Sequence, residues 1–278
     1  MFKVLRKIRK ILIESASVRK YFLYAIGEIF LVVIGILIAL EINNWNQDRI
    51  DHQNEMRILK SVGDEMNSFR WKIRRGIETY QTVIISSDRL LVDINGPDLH
   101  YHKDSIDRDL SLLTSRWLLG KGNLLTIYDA LTGSGELKLI RSDELRTLLA
   151  TYKKDILLLG SYEDVQINYV DNHLQPLLNQ FYNGIKTTNI RQQLLSERFG
   201  FDPSMINLSI EASKFLTDYD GLLNNREFSN ILLQHMARTA TLLPIYHRLQ
   251  SYTTQIDSIL SMDNPEWIKD ILPDQLTN

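Results

Sequence analysis

One uninterrupted apolar segment stands out near the N-terminus of the chain. Of the 20 residues 21–40, 13 are Leu, Ile, Val or Phe, and Glu28 is the only charged one. A helix of about 20 residues rises about 30 Å, which matches the hydrocarbon core of a bilayer. The apolar side chains together favour insertion by about 6 kcal/mol, whereas one central charge costs about 3 kcal/mol. The pattern therefore predicts a transmembrane helix over residues 21–42.

Two other interpretations of this apolar segment fit less well. A cleaved signal peptide would have a shorter apolar core and a small-x-small cleavage site, which Leu-Ile-Ala at 37–39 does not provide. A buried core helix would not need basic residues before it. Tyr21 and Tyr24 near one end and Trp45 just past the other are typical of membrane interfaces. We therefore expect an uncleaved signal anchor.

The chain beyond the anchor begins with a long helical pattern. Eleven positions between 59 and 94 follow an unbroken spacing of three and four residues, and nine of them are apolar. These positions are Leu59, Val62, Met66, Phe69, Ile73, Gly76, Tyr80, Val83, Ser87, Leu90 and Ile94. Such a stripe is typical of a helix that buries one face. The helix is predicted to continue from the anchor or to restart near Trp45, and to end at Asn95-Gly96-Pro97.

Three further helical patterns follow. The first begins near residue 104 and ends before Gly120, after which residues 124–131 add one or two turns. The second begins at Ser142 and is kinked or broken at Pro176. The third covers residues 226–262 with a bend at Pro244. Their stripes comprise Ile106, Leu110, Leu113 and Trp117; Leu145, Leu149, Tyr152, Ile156 and Leu159; and Phe228, Leu232, His235, Thr239, Leu242, Tyr246, Leu249, Thr253, Ile256 and Leu260.

These patterns predict an all-α fold class, with one N-terminal transmembrane helix followed by an elongated antiparallel helical bundle. Only residues 137–140 resemble an extended segment, and residues 183–206 are interpreted as loops with one short helix. The predicted organisation is a basic segment over 1–20, the signal-anchor helix over 21–42 and a helical domain over 43–278. The stripes are expected to fill the bundle core rather than to hold a cofactor.

The charge distribution predicts the orientation of the chain. Residues 1–20 carry seven basic residues and one acidic residue, whereas residues 21–278 carry 25 basic and 33 acidic residues. Because basic flanks stay in the cytoplasm, the helical domain is expected on the other side of the membrane. Its acidic balance argues against nucleic acid as a partner. The absence of cysteine excludes disulfides, thiolate metal sites and a cysteine nucleophile.

Residues 2–13 alternate apolar and basic positions as an amphipathic helix would. Such a helix would lie on the anionic inner leaflet. It either only sets the topology, or also senses lipids or docks a protein. The basic residues predicted to contact the membrane surface are Lys3, Arg6, Lys7, Arg9 and Lys10.

Glu28 is the unusual residue of the predicted span. Carboxylates inside a membrane face a partner or water, or are protonated. Gly35 and Ala39 lie seven and eleven residues further on, close to the same helix face, and form a small-xxx-small pair. Glu28, Gly35 and Ala39 therefore form a hypothetical self-association stripe. The alternative is that Glu28 is protonated and passive.

Three motifs in the first 50 residues have a specific likeness to a known family. They are Arg6-Lys7-Ile8-Arg9-Lys10, residues 21–29 with 35–40, and Asn43-Asn44-Trp45-Asn46. In these motifs the chain resembles uncharacterised single-pass membrane proteins of Gram-negative bacteria, a domain-of-unknown-function family. The likeness weakens to scattered features after residue 50. The resemblance implies an inner-membrane protein with a periplasmic domain and brings no activity, ligand or catalytic residue.

No motif nominates a catalytic, cofactor or metal site. His100-Tyr101-His102, with Asp104 and Asp107 nearby, offers two histidines and no defined third ligand, so exposed loop histidines are the preferred interpretation. Asp-Tyr-Asp-Gly at 218–221 has its glycine two positions too early for a calcium loop. No P-loop, dinucleotide fingerprint or nucleophile elbow is present.

The remaining histidines are interpreted structurally. His173 and His235 fall on core stripes of different helices and are expected to be hydrogen-bonded core residues, although a buried pair could sense pH. His52 and Glu55 share one helix face in a spacing that fits no zinc motif.

The leading functional prediction is a non-enzymatic envelope protein that acts as a sensor or scaffold. Its helical domain is expected to bind an envelope protein or a small ligand without a cofactor, and its other partners are the lipid bilayer and a second copy through the transmembrane helix. The alternative is an enzyme with an unrecognised site on the bundle. A purely structural spacer is a third interpretation. A deep polar pocket would favour ligand binding or catalysis, and an exposed apolar patch would favour protein partners.

Overall fold

The computed structural model is all-α, as the sequence predicts. The structure describes residues 18–96, 103–120, 126–183, 202 and 214–263, and no strand occurs among them. The α-helices are α1 (Val18–Asn95), α2 (Lys103–Leu113), α3 (Thr126–Ser134), α4 (Asp143–Tyr169), α5 (Gln175–Phe181), α6 (Tyr219–Leu223), α7 (Arg226–Ala240) and α8 (Leu243–Asp263). The chain divides into two compact units, Met1–Ile58 and Leu59–Asn278.

The first unit contains the N-terminal part of α1. Over the described residues from Ala25 onward, α1 contains an 18-residue window with a mean hydropathy of 2.5, none of which is buried. It is the one helix in the described part of the chain that is long and apolar enough to cross a membrane. A continuous α1 also shows that the predicted long helix does not restart near Trp45.

The predicted stripe of α1 is the buried face of this helix in the second unit. Ten of its eleven positions are buried, and Ile94 packs against the core as a partly buried residue. The helix ends at Asn95, immediately before Gly96, as predicted. Burial of each large apolar side chain stabilises the fold by about 1.5–3 kcal/mol, which explains why the spacing alone located this helix.

Two side-chain caps explain where the other long helices begin. Ser142 precedes α4, and its side-chain oxygen accepts a hydrogen bond from the Leu145 amide at 3.1 Å. Asn225 precedes α7, and its Oδ1 accepts hydrogen bonds from the amides of Glu227 and Phe228 at 2.8 and 3.1 Å. Each cap satisfies backbone donors that have no partner within the helix.

Contacts along α4 show which helices pack beside it. Asp155 accepts a hydrogen bond from Arg248 Nε at 2.9 Å, and about three turns further along α4, Gln166 contacts His235 at 2.8 Å. Both C-terminal helices, α7 and α8, therefore pack against α4.

Three segments differ from their sequence-based prediction. Helix α2 ends at Leu113, so Trp117 lies beyond it, where its carbonyl accepts a hydrogen bond from the Tyr80 hydroxyl at 2.7 Å. Residues 136–139 form a 3₁₀ turn rather than an extended segment. The predicted last helix is two helices, with Pro244 in the first turn of α8, where its missing N–H costs no hydrogen bond. The predicted interruption at Pro176 is confirmed, because a π turn over Val170–Leu174 separates α4 from α5 and Pro176 lies in the first turn of α5.

Candidate functional site

A buried polar cluster joins α4 to α7. Gln166 of α4 contacts the Nδ1 atom of His235 through its Nε2 at 2.8 Å, and donates to Thr239 Oγ1 at 2.7 Å. Thr239 Oγ1 in turn donates to the His235 carbonyl oxygen at 2.8 Å. The side chains of His235 and Thr239 are 1% and 0% exposed, and Gln166 is 6% exposed, so these bonds lie away from bulk water.

One atom of this cluster has no hydrogen-bond partner within the structure. Gln166 Nε2 carries two hydrogens and donates one to Thr239 Oγ1; with the other donated to His235 Nδ1, the proton of the neutral ring lies on Nε2. Gln166 Oε1 is buried and unpaired. Each unpaired buried polar group costs about 1–3 kcal/mol, so the cluster is under-satisfied compared with an ordinary core.

Burial also controls the protonation state of His235. Removal of the ring from water lowers the pKa of His235 from 6.5 to about 4, and a backbone hydrogen bond involving Leu113 opposes this change in part. The ring is therefore neutral at physiological pH. A neutral, internally bonded imidazole positions Gln166 rather than carrying charge at the surface.

A surface groove between α4 and α7 lies over the cluster. It has a volume of about 370 Å³ and is lined by Tyr162, Val165, Gln166, Gln234, Ala237, Arg238 and Thr241. A much smaller cavity of about 10 Å³ is lined in part by Gln166, His235 and Thr239. Gln166 lines both spaces and therefore connects the buried cluster with the groove.

An aromatic ring next to the groove holds the cation that lines it. The guanidinium carbon of Arg238 lies 4.7 Å from the centroid of the Tyr169 ring. The Tyr169 hydroxyl lies 3.3 Å from Gln234 Oε1, to which it donates. Stacking on an aromatic face holds a guanidinium without using its in-plane N–H groups. The groove thus combines apolar walls with amide groups and one held cation.

A second buried polar site anchors the segment after α2. Glu163 is 0% exposed and accepts hydrogen bonds from the amides of Leu119 and Gly120 at 3.0 and 2.9 Å, and from the Tyr246 hydroxyl at 2.8 Å. Burial raises the pKa of Glu163, and these hydrogen bonds oppose the rise. All of the contacts are internal, so this carboxylate has a structural role.

The structure separates the two histidines that the sequence placed in the core. His235 is a hydrogen-bonded core residue, as predicted. His173 is exposed, with its ring centroid 4.9 Å from that of Tyr169, so the prediction for His173 is wrong and no buried pair exists. The π turn adds a residue to the helical path, which places Leu174 rather than His173 on the buried face.

The other residues considered for chemistry have local roles. Asp107 accepts a hydrogen bond from the Tyr219 hydroxyl at 2.6 Å, and Asp218 caps the short helix α6 through the Gly221 amide. His52 Nδ1 lies 3.6 Å from a Glu55 carboxylate oxygen. The described residues contain no group of three or more His, Asp or Glu side chains arranged to hold a metal ion. His100 and His102 lie outside the described residues.

The predicted membrane residues are only partly within the described chain. Glu28, Gly35 and Ala39 are exposed on α1, and a Cβ atom added at Gly35 would meet nothing within 4 Å. Their face is therefore open for close approach by another helix. Lys3, Arg6, Lys7, Arg9 and Lys10 lie outside the described residues.

Sequence reasoning missed Gln166 and Arg238 although one signal was present. The stripe of α4 continues at the same spacing beyond Leu159 to Glu163 and Gln166, so polar residues occupy predicted core positions. A polar residue on a core stripe must find a partner, which identifies a buried polar cluster. Arg238 carries no comparable pattern.

Fold and sequence together define an all-α protein with one candidate membrane-spanning helix near its N-terminus. No family model, no curated protein and no solved structure matches the chain.

Proposed function

We propose that this chain is a single-pass membrane protein whose helical domain binds a small ligand or a partner in the groove between α4 and α7. The observation that carries this proposal is the unpaired buried atom Gln166 Oε1, in a polar cluster that continues to the groove through Gln166. An under-satisfied polar cluster is costly, and selection retains such a cost at sites that serve binding.

A binding role is preferred to a catalytic one because of how the titratable group is held. His235 is beneath the groove rather than on its surface, and its Nδ1 is engaged by Gln166. A general base must reach the proton that it abstracts, and this ring does not line the groove. An enzyme with its site elsewhere on the bundle is the alternative.

The membrane part of the proposal places the N-terminus in the cytoplasm and the helical domain outside it. Its support is the basic segment before the span and the acidic balance after it. Together with the likeness to single-pass proteins of Gram-negative bacteria, this favours an inner-membrane protein with a periplasmic domain. The same proposal includes a dimer formed along Glu28, Gly35 and Ala39.

The groove is tested with two tryptophan substitutions on the same helix. Ala237 lines the groove, whereas Ala240 is an exposed neighbour that does not. The thermal midpoint of full-length protein in lipid nanodiscs is measured against a panel of soluble metabolites. We expect compounds that raise the midpoint of the wild type and Ala240→Trp, but not of Ala237→Trp. Equal responses of all three proteins, or no response to any compound, would refute binding in the groove, and turnover of a compound would establish the enzymatic alternative.

Topology and assembly are tested in membranes. A periplasm-dependent reporter fused to the C-terminus is expected to be active, and crosslinking is expected to give a dimer that Glu28→Leu weakens. An inactive reporter would overturn the orientation. A Glu28→Leu protein that dimerises as well as the wild type would remove Glu28 from the interface.

A further inference from the structure

We propose that the groove between α4 and α7 selects a small organic anion, whose carboxylate pairs with Arg238 and whose apolar body contacts Tyr162, Val165 and Ala237. This inference rests on the proposed function, because it names the class of ligand for the same groove. It follows from the charge of the groove, the state of Arg238 and the chemistry of the walls.

Arg238 is the charged residue of the groove. Among its lining residues in the described structure there is no Asp or Glu to neutralise the guanidinium. The Arg238 side chain makes no ion pair and donates no hydrogen bond to any described residue, and its guanidinium lies over the Tyr169 ring. A cation in a groove without acids attracts an anion.

The planar guanidinium favours a carboxylate over a spherical anion. Its carbon lies 4.7 Å from the Tyr169 centroid, and its N–H groups donate to no described residue. Two parallel N–H groups match the two oxygens of a carboxylate in a bidentate pair. Because the ring already restricts the side chain, less rotamer freedom is lost when the anion binds.

The walls favour an organic body attached to that carboxylate. Tyr162 and Val165 on α4 are 43% and 52% exposed, which is high for side chains of this apolar character. Ala237 continues the apolar surface on α7. The amides of Gln166 and Gln234 add hydrogen-bonding groups to the same groove. A volume of about 370 Å³ lies at the lower end of the range for small-molecule sites, so a single aromatic ring with a short acid is the appropriate size.

The test compares two probes that differ in charge and share their body. Full-length protein is reconstituted in nanodiscs of neutral phosphatidylcholine, and binding of 4-fluorophenylacetate and 4-fluorophenylacetamide is followed by ¹⁹F NMR line broadening. We expect the acid to bind about tenfold more tightly than the amide, as one charge-assisted bidentate contact predicts. Acetate, which has the charge without the body, is expected not to displace the acid at equal concentration.

Three variants locate the contact. Arg238→Gln removes the charge and is expected to weaken binding of the acid about tenfold while leaving the amide unchanged. Arg226→Gln, an exposed cation at the start of the same helix, is the matched control and is expected to bind as the wild type does. Circular dichroism at increasing temperature verifies that each variant is folded.

The possible results separate this inference from the proposed function. Equal affinity for acid and amide, both abolished by Ala237→Trp, would overturn anion selection while leaving a ligand groove in place. Undiminished binding of the acid to Arg238→Gln would also overturn it. Binding of neither probe would refute the organic-acid inference, and the metabolite panel would then decide the proposed function separately.

Discussion

The buried histidine of the candidate site makes the stability of the helical domain dependent on pH in a predictable direction. Unfolded His235 takes up a proton below pH 6.5, whereas the folded ring takes it up only below its lowered pKa of about 4. Between these values the unfolded state binds more protons. The free energy of unfolding therefore falls as the pH falls through this window.

The size of the effect follows from the two pKa values of His235. One pKa unit corresponds to about 1.4 kcal/mol, so the contribution at pH 5 is a loss of about 2 kcal/mol relative to pH 7.5. Below pH 4 the loss from this one residue reaches about 3 kcal/mol.

The perturbation that isolates this effect is His235→Asn. The Asn Oδ1 atom takes the place of the ring Nδ1 as acceptor for Gln166 and cannot be protonated in this range. The variant is expected to be less stable at every pH because it leaves a cavity. Its stability should nevertheless fall less between pH 7.5 and 5 than that of the wild type, by about 2 kcal/mol.

Urea unfolding of the full-length proteins in nanodiscs measures this difference. Tryptophan fluorescence reports on the domain because the rings of Trp71 and Trp117 pack with centroids 5.4 Å apart. All other titrating groups are common to both proteins and cancel in the comparison. Equal losses of stability for wild type and His235→Asn would refute the assignment of a neutral, desolvated ring.

Three further substitutions test the packing, each by urea or thermal unfolding of the full chain. Glu163→Ala leaves two backbone amides without an acceptor and is expected to destabilise the domain by about 3–5 kcal/mol. Glu163→Gln retains one acceptor and should cost less; equal costs for the two variants would contradict an amide-anchoring role. Gly76→Ala places a Cβ 2.1 Å from a buried Tyr246 ring atom and is expected to lower the free energy of unfolding by about 1–3 kcal/mol. Gly133→Ala is the control, because a Cβ on this helical residue would meet nothing within 4 Å, and it should raise the free energy of unfolding by about 0.5–1 kcal/mol. Asn225→Ala removes the cap of α7 and should cost about 1 kcal/mol, which an unchanged midpoint would refute.

Much of the fold was accessible from the periodicity of single segments. The eleven-position stripe of α1 and the ten-position stripe of α7 and α8 coincide with buried faces in the structure. The predicted start of α4 after Ser142 is also confirmed. The prediction for His173 was wrong because a π turn shifts which residues face the core, whereas a periodic pattern assumes a constant number of residues per turn. The extent of α2 was also overpredicted, since Trp117 keeps the spacing but its carbonyl bonds to another helix.

The candidate site could be predicted far less than the fold. His235 was identified as a hydrogen-bonded core residue, yet its partner Gln166 lies 69 residues away, and no local pattern specifies which two helix faces meet. Arg238 has no sequence signal, since a lone arginine near a helix end is ordinary. Its unpaired state depends on which residues the neighbouring helix presents.

The sequence by itself determined the all-α class, the apolar membrane-length segment, and most of the positions that each helix buries. These are local properties, because hydrophobic burial selects one face of a helix whatever that face contacts. Only the tertiary structure decided that Gln166, His235 and Thr239 form one cluster, that Glu163 holds the amides of residues 119 and 120, and that a groove opens beside Arg238. Those features depend on the mutual placement of distant helices, which directional hydrogen bonds and close packing define only when the whole domain has folded.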